Sequence, residues 1–240
     1  LFPYTTLFRS YGPVITMYFN NTPIRGKIEI YKSGELFAAE NESFNYNGRT
    51  TLKDIVYTIY ADEDIKTPDG QYIYYEKDEF VGTMTTDKNG YAVSEALPLG
   101  KYRVQEAQTN DNYLLDETIY YIELTEVDNK TEVVYSSYDM LNILKKGDVE
   151  FTKTDFVDNE PIPNTLMELY TENNELIFRG RTDSTGEITI KNLKIGRYYF
   201  VEKEAPEGYL LNEDKLWFEI TKDGEVVKSN MKDQIGRASC

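Results

Sequence analysis

One string of residues recurs along this chain and limits what it can fold into. Thr86-Asp87-Lys88-Asn89-Gly90 precedes Leu97-Pro98-Leu99-Gly100, and Thr182-Asp183-Ser184-Thr185-Gly186 stands at the same spacing before Leu193-Lys194-Ile195-Gly196. Each final glycine opens an alternating run, GKYRVQE (100–106) and GRYYFVE (196–202). A tyrosine follows seven residues after each glutamate, at Tyr113 and Tyr209. A second recurrence marks the junctions, where Asn21 and Asn142 each stand five residues before a glycine and eleven before a lysine, Lys32 or Lys153. Self-similarity at the scale of a domain predicts tandem copies of one unit, and 240 residues suffice for two domains with separate cores.

Each copy reads as strands. Period-two alternation runs through Lys27–Ile30, Val149–Thr152 and Leu216–Ile220, and Pro68-Asp69-Gly70, Asn89-Gly90, Thr185-Gly186 and Asp223-Gly224 punctuate it as turns. The prediction is an all-β chain of tandem antiparallel sandwiches. Ser43–Tyr57 is the most ambiguous stretch, with a short helix as one of its readings. The repeat sets the boundaries: 11–23 as the last strand of a preceding domain, 24–144 as a larger domain, 145–234 as a smaller one. The first copy carries an insertion, since Lys32 to Glu106 spans 74 residues and Lys153 to Glu202 only 49. The opening LFPYTTLFRS (1–10) and closing IGRASC (235–240) resemble the two orientations of a translated sequencing adapter, and are read as foreign to the protein.

Composition removes several functions. Lys and Arg number 26 against 42 Asp and Glu, a net charge of −16, so no basic footprint exists for nucleic acid. No apolar run reaches the roughly 18 residues of a membrane span. There is no His and a single Cys, Cys240 in the closing segment, which excludes the commonest general base, an internal disulfide and a thiolate zinc site. No cofactor is expected. The acidic runs Asp62-Glu63-Asp64 and Asp69-Gly70 lack the regular ligand spacing of a calcium loop and read as solvated turns.

Strand parity gives the sharpest chemical signal. Residues i, i+2 and i+4 share a face. Ile28 and Ile30 bring Lys32 to the core side, and Val149 and Phe151 bring Lys153. Tyr102 and Val104 place Glu106 inward, as Tyr198 and Phe200 place Glu202. Met140 does so for Asn142 and Met231 for Asp233, while Asn230, a rival to Asp233, faces the other way. Three readings are open. The strands end there and the polar groups meet water; or each lysine and glutamate form a buried ion pair; or the set reacts. The last uses every member. Desolvation favours the neutral forms of a buried lysine and a buried glutamate. A neutral amine can then attack the side-chain carbonyl of Asn or Asp, with the glutamate as general acid and base, releasing ammonia or water and leaving an amide.

These residues also resemble a known family. FTKTD (151–155), YYFVEKEAPEGY (198–209) and MKD (231–233), with IEIYKSGE (28–35), LPLGKYRVQEAQTNDNY (97–113) and MLNILKKG (140–147), are similar to the Cna B-type, or SpaA-like prealbumin-fold, domains of Gram-positive surface proteins and pilins. The resemblance implies a β-sandwich in each domain with an intramolecular isopeptide bond between first and last strands. By position it implies Lys153, Glu202 and Asp233 as nucleophile, catalyst and acceptor in the smaller domain, and Lys32, Glu106 and Asn142 in the larger. Asn21 would be the acceptor of a preceding domain. Glu106 is followed by Ala-Gln-Thr-Asn-Asp-Asn rather than the Pro-Gly form of Ala205–Gly208, so that loop departs from the pattern.

The resulting functional expectation is a structural one: stalk modules of an extracellular, cell-wall-attached adhesin or pilin-like protein, performing single-turnover self-cross-linking rather than enzymatic turnover. Its expected partners are neighbouring domains of the same chain, with the cell wall reached through an anchor elsewhere. The alternative is ligand binding, to a host or other extracellular partner, through Tyr57, Tyr60, Tyr72, Tyr74 and Tyr75 of the insertion. A glycosidase-like enzyme would need a carboxylate pair outside the repeat, and none stands out.

Overall fold

The computed structural model describes residues 4–5, 18–19 and 21–233. Most of 1–10 and of 11–23, and all of 235–240, the outer segments being those expected to be foreign, fall outside the described residues. Among those described there is no helix. β1 (Tyr4–Thr5) pairs with β2 (Tyr18–Phe19). The strands that follow are β3 (Arg25–Glu40), β4 (Ser43–Thr51), β5 (Val56–Ala61), β6 (Ile65–Lys66), β7 (Ile73–Tyr75), β8 (Phe80–Thr85), β9 (Tyr91–Val93), β10 (Leu97–Pro98), β11 (Gly100–Gln108), β12 (Ile119–Leu124) and β13 (Val133–Asn142). The second copy contributes β14 (Lys146–Asp155), β15 (Leu166–Thr171), β16 (Leu176–Arg181), β17 (Glu187–Lys194), β18 (Gly196–Glu204), β19 (Leu216–Ile220) and β20 (Val226–Asp233). The ambiguous stretch Ser43–Tyr57 is not helical: it forms β4, a turn with Asp54 at φ 61°, and the start of β5. Its apolar residues Ile55, Tyr57 and Ile59 alternate with half-buried ones, a strand period that outweighs the polar lead-in.

The chain packs as two compact units. The first comprises the described residues up to Lys32, with Leu52–Thr109 and Leu115–Met140. Its sheets are β10-β3-β13, with β9 also on β3, and β12-β11-β5-β8. Ile28, Ile30, Ile59, Tyr102, Val104, Ile122 and Met140 fill the space between them. The insertion falls in two places, the β3–β4 hairpin and the segment between β5 and β8 that holds β6 and β7.

The second unit comprises Ser33–Thr51, Asn110–Leu114 and the described residues from Leu141 on. Its sheets are β17-β14-β20 and β16-β15-β18-β19 around Val149, Phe151, Met167, Leu169, Phe200 and Met231. Most pairs are antiparallel, but β14 and β20, the first and last strands, run parallel, with Lys153 opposite Met231 and Asp155 opposite Asp233. The outer half of the β3–β4 hairpin belongs here by packing. Phe37, Ala39 and Phe44 lie against this core, Tyr46 donates to the Asn192 carbonyl at 2.6 Å, and Arg179 pairs with Glu42 at 3.3 Å. The compact units therefore interleave in sequence, whereas the boundary read from the repeat, at 144/145, is a single cut.

The recurring string has a structural task in each copy. The hydroxyl of Thr86 accepts from the Ile55 N–H and donates to the Leu52 carbonyl, and Thr182 does the same for Thr165 and Ile162. Asp87 and Asp183 accept two backbone N–H bonds each and close the turn. Gly90 and Gly186 follow at φ of 73° and 72°, left-handed geometry that glycine adopts without strain. Their carbonyls accept the backbone N–H of Lys32 and Lys153, at 2.7 and 2.8 Å. The motif thus fixes the strand position of each lysine.

Candidate functional site: two buried lysine sites

In the second unit Lys153 on β14, Glu202 on β18 and Asp233 on β20 come together with their side chains fully out of solvent. The Lys153 Nζ donates to Glu202 Oε2 at 2.9 Å and to Asp233 Oδ1. Apolar neighbours enclose them. Phe151 and Phe200, two residues before the lysine and the glutamate, bring their rings to 4.5 Å; Met231 stands opposite Lys153 in the parallel pair, and Met167 opposite Glu202. A backbone N–H from Asn212 reaches Glu202 Oε2 at 3.2 Å. Glu202 Oε1 and Asp233 Oδ2 are buried without a hydrogen-bond partner among the described residues.

This arrangement is short of positive charge. One ammonium faces two carboxyls, so full ionisation would leave a net negative charge in a dry site, which is costly. Burial accordingly raises the Glu202 carboxyl above its ordinary range; the hydrogen bond and charge of Lys153 oppose that shift, and the charge of Asp233 reinforces it. The site therefore favours a proton on a carboxyl.

The first unit places Lys32 on β3 with its Nζ 2.8 Å from Glu106 Oε2, both side chains enclosed. Two further donors reach Glu106: the Asp116 N–H to Oε1 and the Tyr57 hydroxyl to Oε2, each at 3.3 Å. Asp116 and Asn212 stand ten residues after their respective glutamates, so the two copies share this backbone contact. Asn142 is buried at the end of β13, the strand hydrogen-bonded beside β3.

Other candidates are placed differently. Asn230 is exposed and donates to the hydroxyl of Thr152 at 2.8 Å, on the face opposite to Met231. Asn21 is exposed and outside any strand. The five tyrosines of the insertion do not form one surface. Tyr57 is fully buried, Tyr60 packs on Phe80, Tyr74 lies beneath Arg25, and Tyr72 faces solvent. The prediction of a shared tyrosine surface is therefore corrected at Tyr57, which belongs to the core by the same alternation that buries Ile55 and Ile59. Sequence reasoning also missed Asp116 and Asn212, although the matching Tyr-Leu-Leu-Asp-Glu (113–117) and Tyr-Leu-Leu-Asn-Glu (209–213) carry the signal. Among the described residues no cluster of acidic, His or Cys side chains could hold a metal ion, and no helix is long and apolar enough to cross a membrane.

Comparison with known proteins identifies the fold. A family model for the SpaA prealbumin-like fold domain matches residues 41–138 and 147–235. The trypsin-resistant surface T6 protein of Streptococcus pyogenes serotype M6 is 28% identical over 179 residues, covering 62% of this chain and 33% of that protein. The solved Bacillus anthracis TIE protein is 26% identical with a TM-score of 0.67, covering 92% of this chain and 38% of its own. The chain thus spans about a third of the length of the first relative and somewhat more of the second. With the family model covering most of the chain in two matches, this chain belongs to the SpaA prealbumin-like fold family.

Proposed function

We propose that this chain supplies two load-bearing modules of a Gram-positive cell-surface protein, each sealed by a self-formed isopeptide bond, Lys153–Asp233 in one and Lys32–Asn142 in the other. The observation that carries the reading is the Lys153 amine held between Glu202 and Asp233 in a site closed to water. In the second unit the neutral Lys153 nitrogen attacks Cγ of protonated Asp233. The N–Cγ bond forms, a Cγ–O bond breaks, Glu202 carries the proton to the departing oxygen, and water leaves. At the Lys32 site the neutral Lys32 nitrogen attacks Cγ of Asn142, Glu106 carries the proton to the amide nitrogen, and ammonia leaves. Each glutamate acts once as general acid and base, so the chemistry is self-modification, not turnover.

The parallel placement of β14 beside β20 supports a mechanical role. A covalent bond between entry and exit strands carries tension past the intervening sheet, so pulling the ends does not peel it. The surface location, attachment to a cell wall and contact with neighbouring modules extend this reading to the longer protein. Mapping cross-linked peptides after proteolysis tests it. The expected result is a Lys153–Asp233 peptide lacking one water and a Lys32–Asn142 peptide lacking one ammonia; linear peptides from folded protein would overturn it.

A further inference from the structure

We propose that Tyr57 is a positioning residue for the first site, holding Lys32 and Glu106 in register for cross-linking to Asn142; this rests on the cross-linking reading above. Tyr57 touches both partners. Its hydroxyl donates to Glu106 Oε2 at 3.3 Å, and its ring lies 5.8 Å from the Lys32 Nζ. The ring sits opposite Glu106 across the β5–β11 ladder. It is fully buried, so no water competes for either contact. Burial raises the phenol above its ordinary range, and the charge of Glu106 adds to the shift. The hydroxyl therefore stays protonated and acts as a hydrogen-bond donor.

The second copy shows what the tyrosine adds. The residue opposite Glu202 is Met167, which has no donor. There the lysine contacts two carboxyls, Glu202 and Asp233, and the charged acceptor itself helps hold it. Asn142 is a neutral amide and lends no such charge. With the acceptor neutral, fixing the lysine–glutamate pair falls to a third group, and Tyr57 reaches the same carboxyl oxygen that faces Lys32. The aromatic face adds a cation–π contact with the lysine before it loses its proton.

The test compares the full chain with Tyr57→Phe and Tyr57→Met, following ammonia loss and water loss in the same molecule by intact mass after a short expression pulse. Loss of a hydrogen bond to a charged group slows ammonia loss about tenfold in Tyr57→Phe. Tyr57→Met, which also removes the ring, slows it further, while water loss keeps its wild-type rate. Amide exchange of Ile30 and Val104 reports the fold, and the infrared carboxyl band of Glu106, isolated against Glu106→Gln, shifts in Tyr57→Phe. Equal ammonia loss in wild type and both variants would overturn the positioning role and leave the cross-linking reading standing. Absence of ammonia loss in the wild type would overturn both. Slowing only in a variant whose exchange protection collapses would mark Tyr57 as purely structural.

Discussion

The two buried lysines occupy equivalent places in two copies of one fold, and their surroundings differ in two respects. At Lys153 the proposed acceptor is a carboxyl, and the residue facing the glutamate is Met167; at Lys32 the proposed acceptor is an amide, and Tyr57 faces the glutamate. The difference teaches a proton count. If the first site cross-links, an ammonium and one carboxylate become a neutral amine and an acid by internal transfer, with no proton from outside. For the second to cross-link, another carboxyl must be neutral too, which would take one more proton from solvent.

The largest effect expected from breaking this comparison is loss of one bond and not the other. Glu202→Ala abolishes water loss and leaves ammonia loss intact, while Glu106→Ala does the reverse, since a general acid–base contributes about 10²–10⁴ in rate. Intact mass of each variant reads the outcome, and loss of both bonds in either variant would show that the sites are not independent. Next comes stability. The proposed Lys153–Asp233 link would span 80 residues of chain, and the loop-entropy relation for a covalent cross-link gives about 4–5 kcal/mol. Denaturant unfolding of Asp233→Ala should show a second unit weaker by about that amount, with the first unchanged.

pH separates the sites more gently. Burial raises Glu202, so before cross-linking the folded second unit binds protons more tightly than the unfolded chain. Stability from that group is present below the unfolded carboxyl value, about 4.3, and is lost as pH rises through the raised folded value. Lys153→Met, which cannot cross-link, should be more stable at pH 4 than at pH 8 in urea titrations; the opposite slope would remove the protonated carboxyl from the account. In the wild type, water loss should slow with rising pH more steeply than ammonia loss. The smallest effects concern the shared frame. Tyr102 donates to the Pro98 carbonyl and Tyr198 to the Lys194 carbonyl, at 2.7 and 2.6 Å. Phenylalanine at either place should cost its own unit about 1 kcal/mol by thermal unfolding.

Much of this was legible in the sequence because parity and repeat act locally. Alternation alone puts Lys32, Lys153, Glu106, Glu202, Asn142 and Asp233 on the core side, and the structure buries all six. It also turns Asn230 outward, one residue from Met231. What alternation cannot show is which strands meet. The parallel pairing of β14 with β20 joins residues far apart in the chain, and no local pattern encodes it. The hairpin 33–51 reads as an insertion of the first copy, yet Phe37 and Phe44 bury against the second unit's core, a tertiary choice that outranks sequence order. Density alone groups Tyr57 with the other tyrosines of the insertion, although its place between Ile55 and Ile59 gives its direction. The Thr-Asp strings read only as turns, because the carbonyl they present to each lysine becomes visible only in three dimensions.

The most direct test of the central claim is the intact mass of the folded chain, with the cross-linked peptides located after proteolysis. The account predicts a mass below that of the sequence by one water and one ammonia, assigned to Lys153–Asp233 and Lys32–Asn142. The full sequence mass in folded protein, held over days, would contradict it.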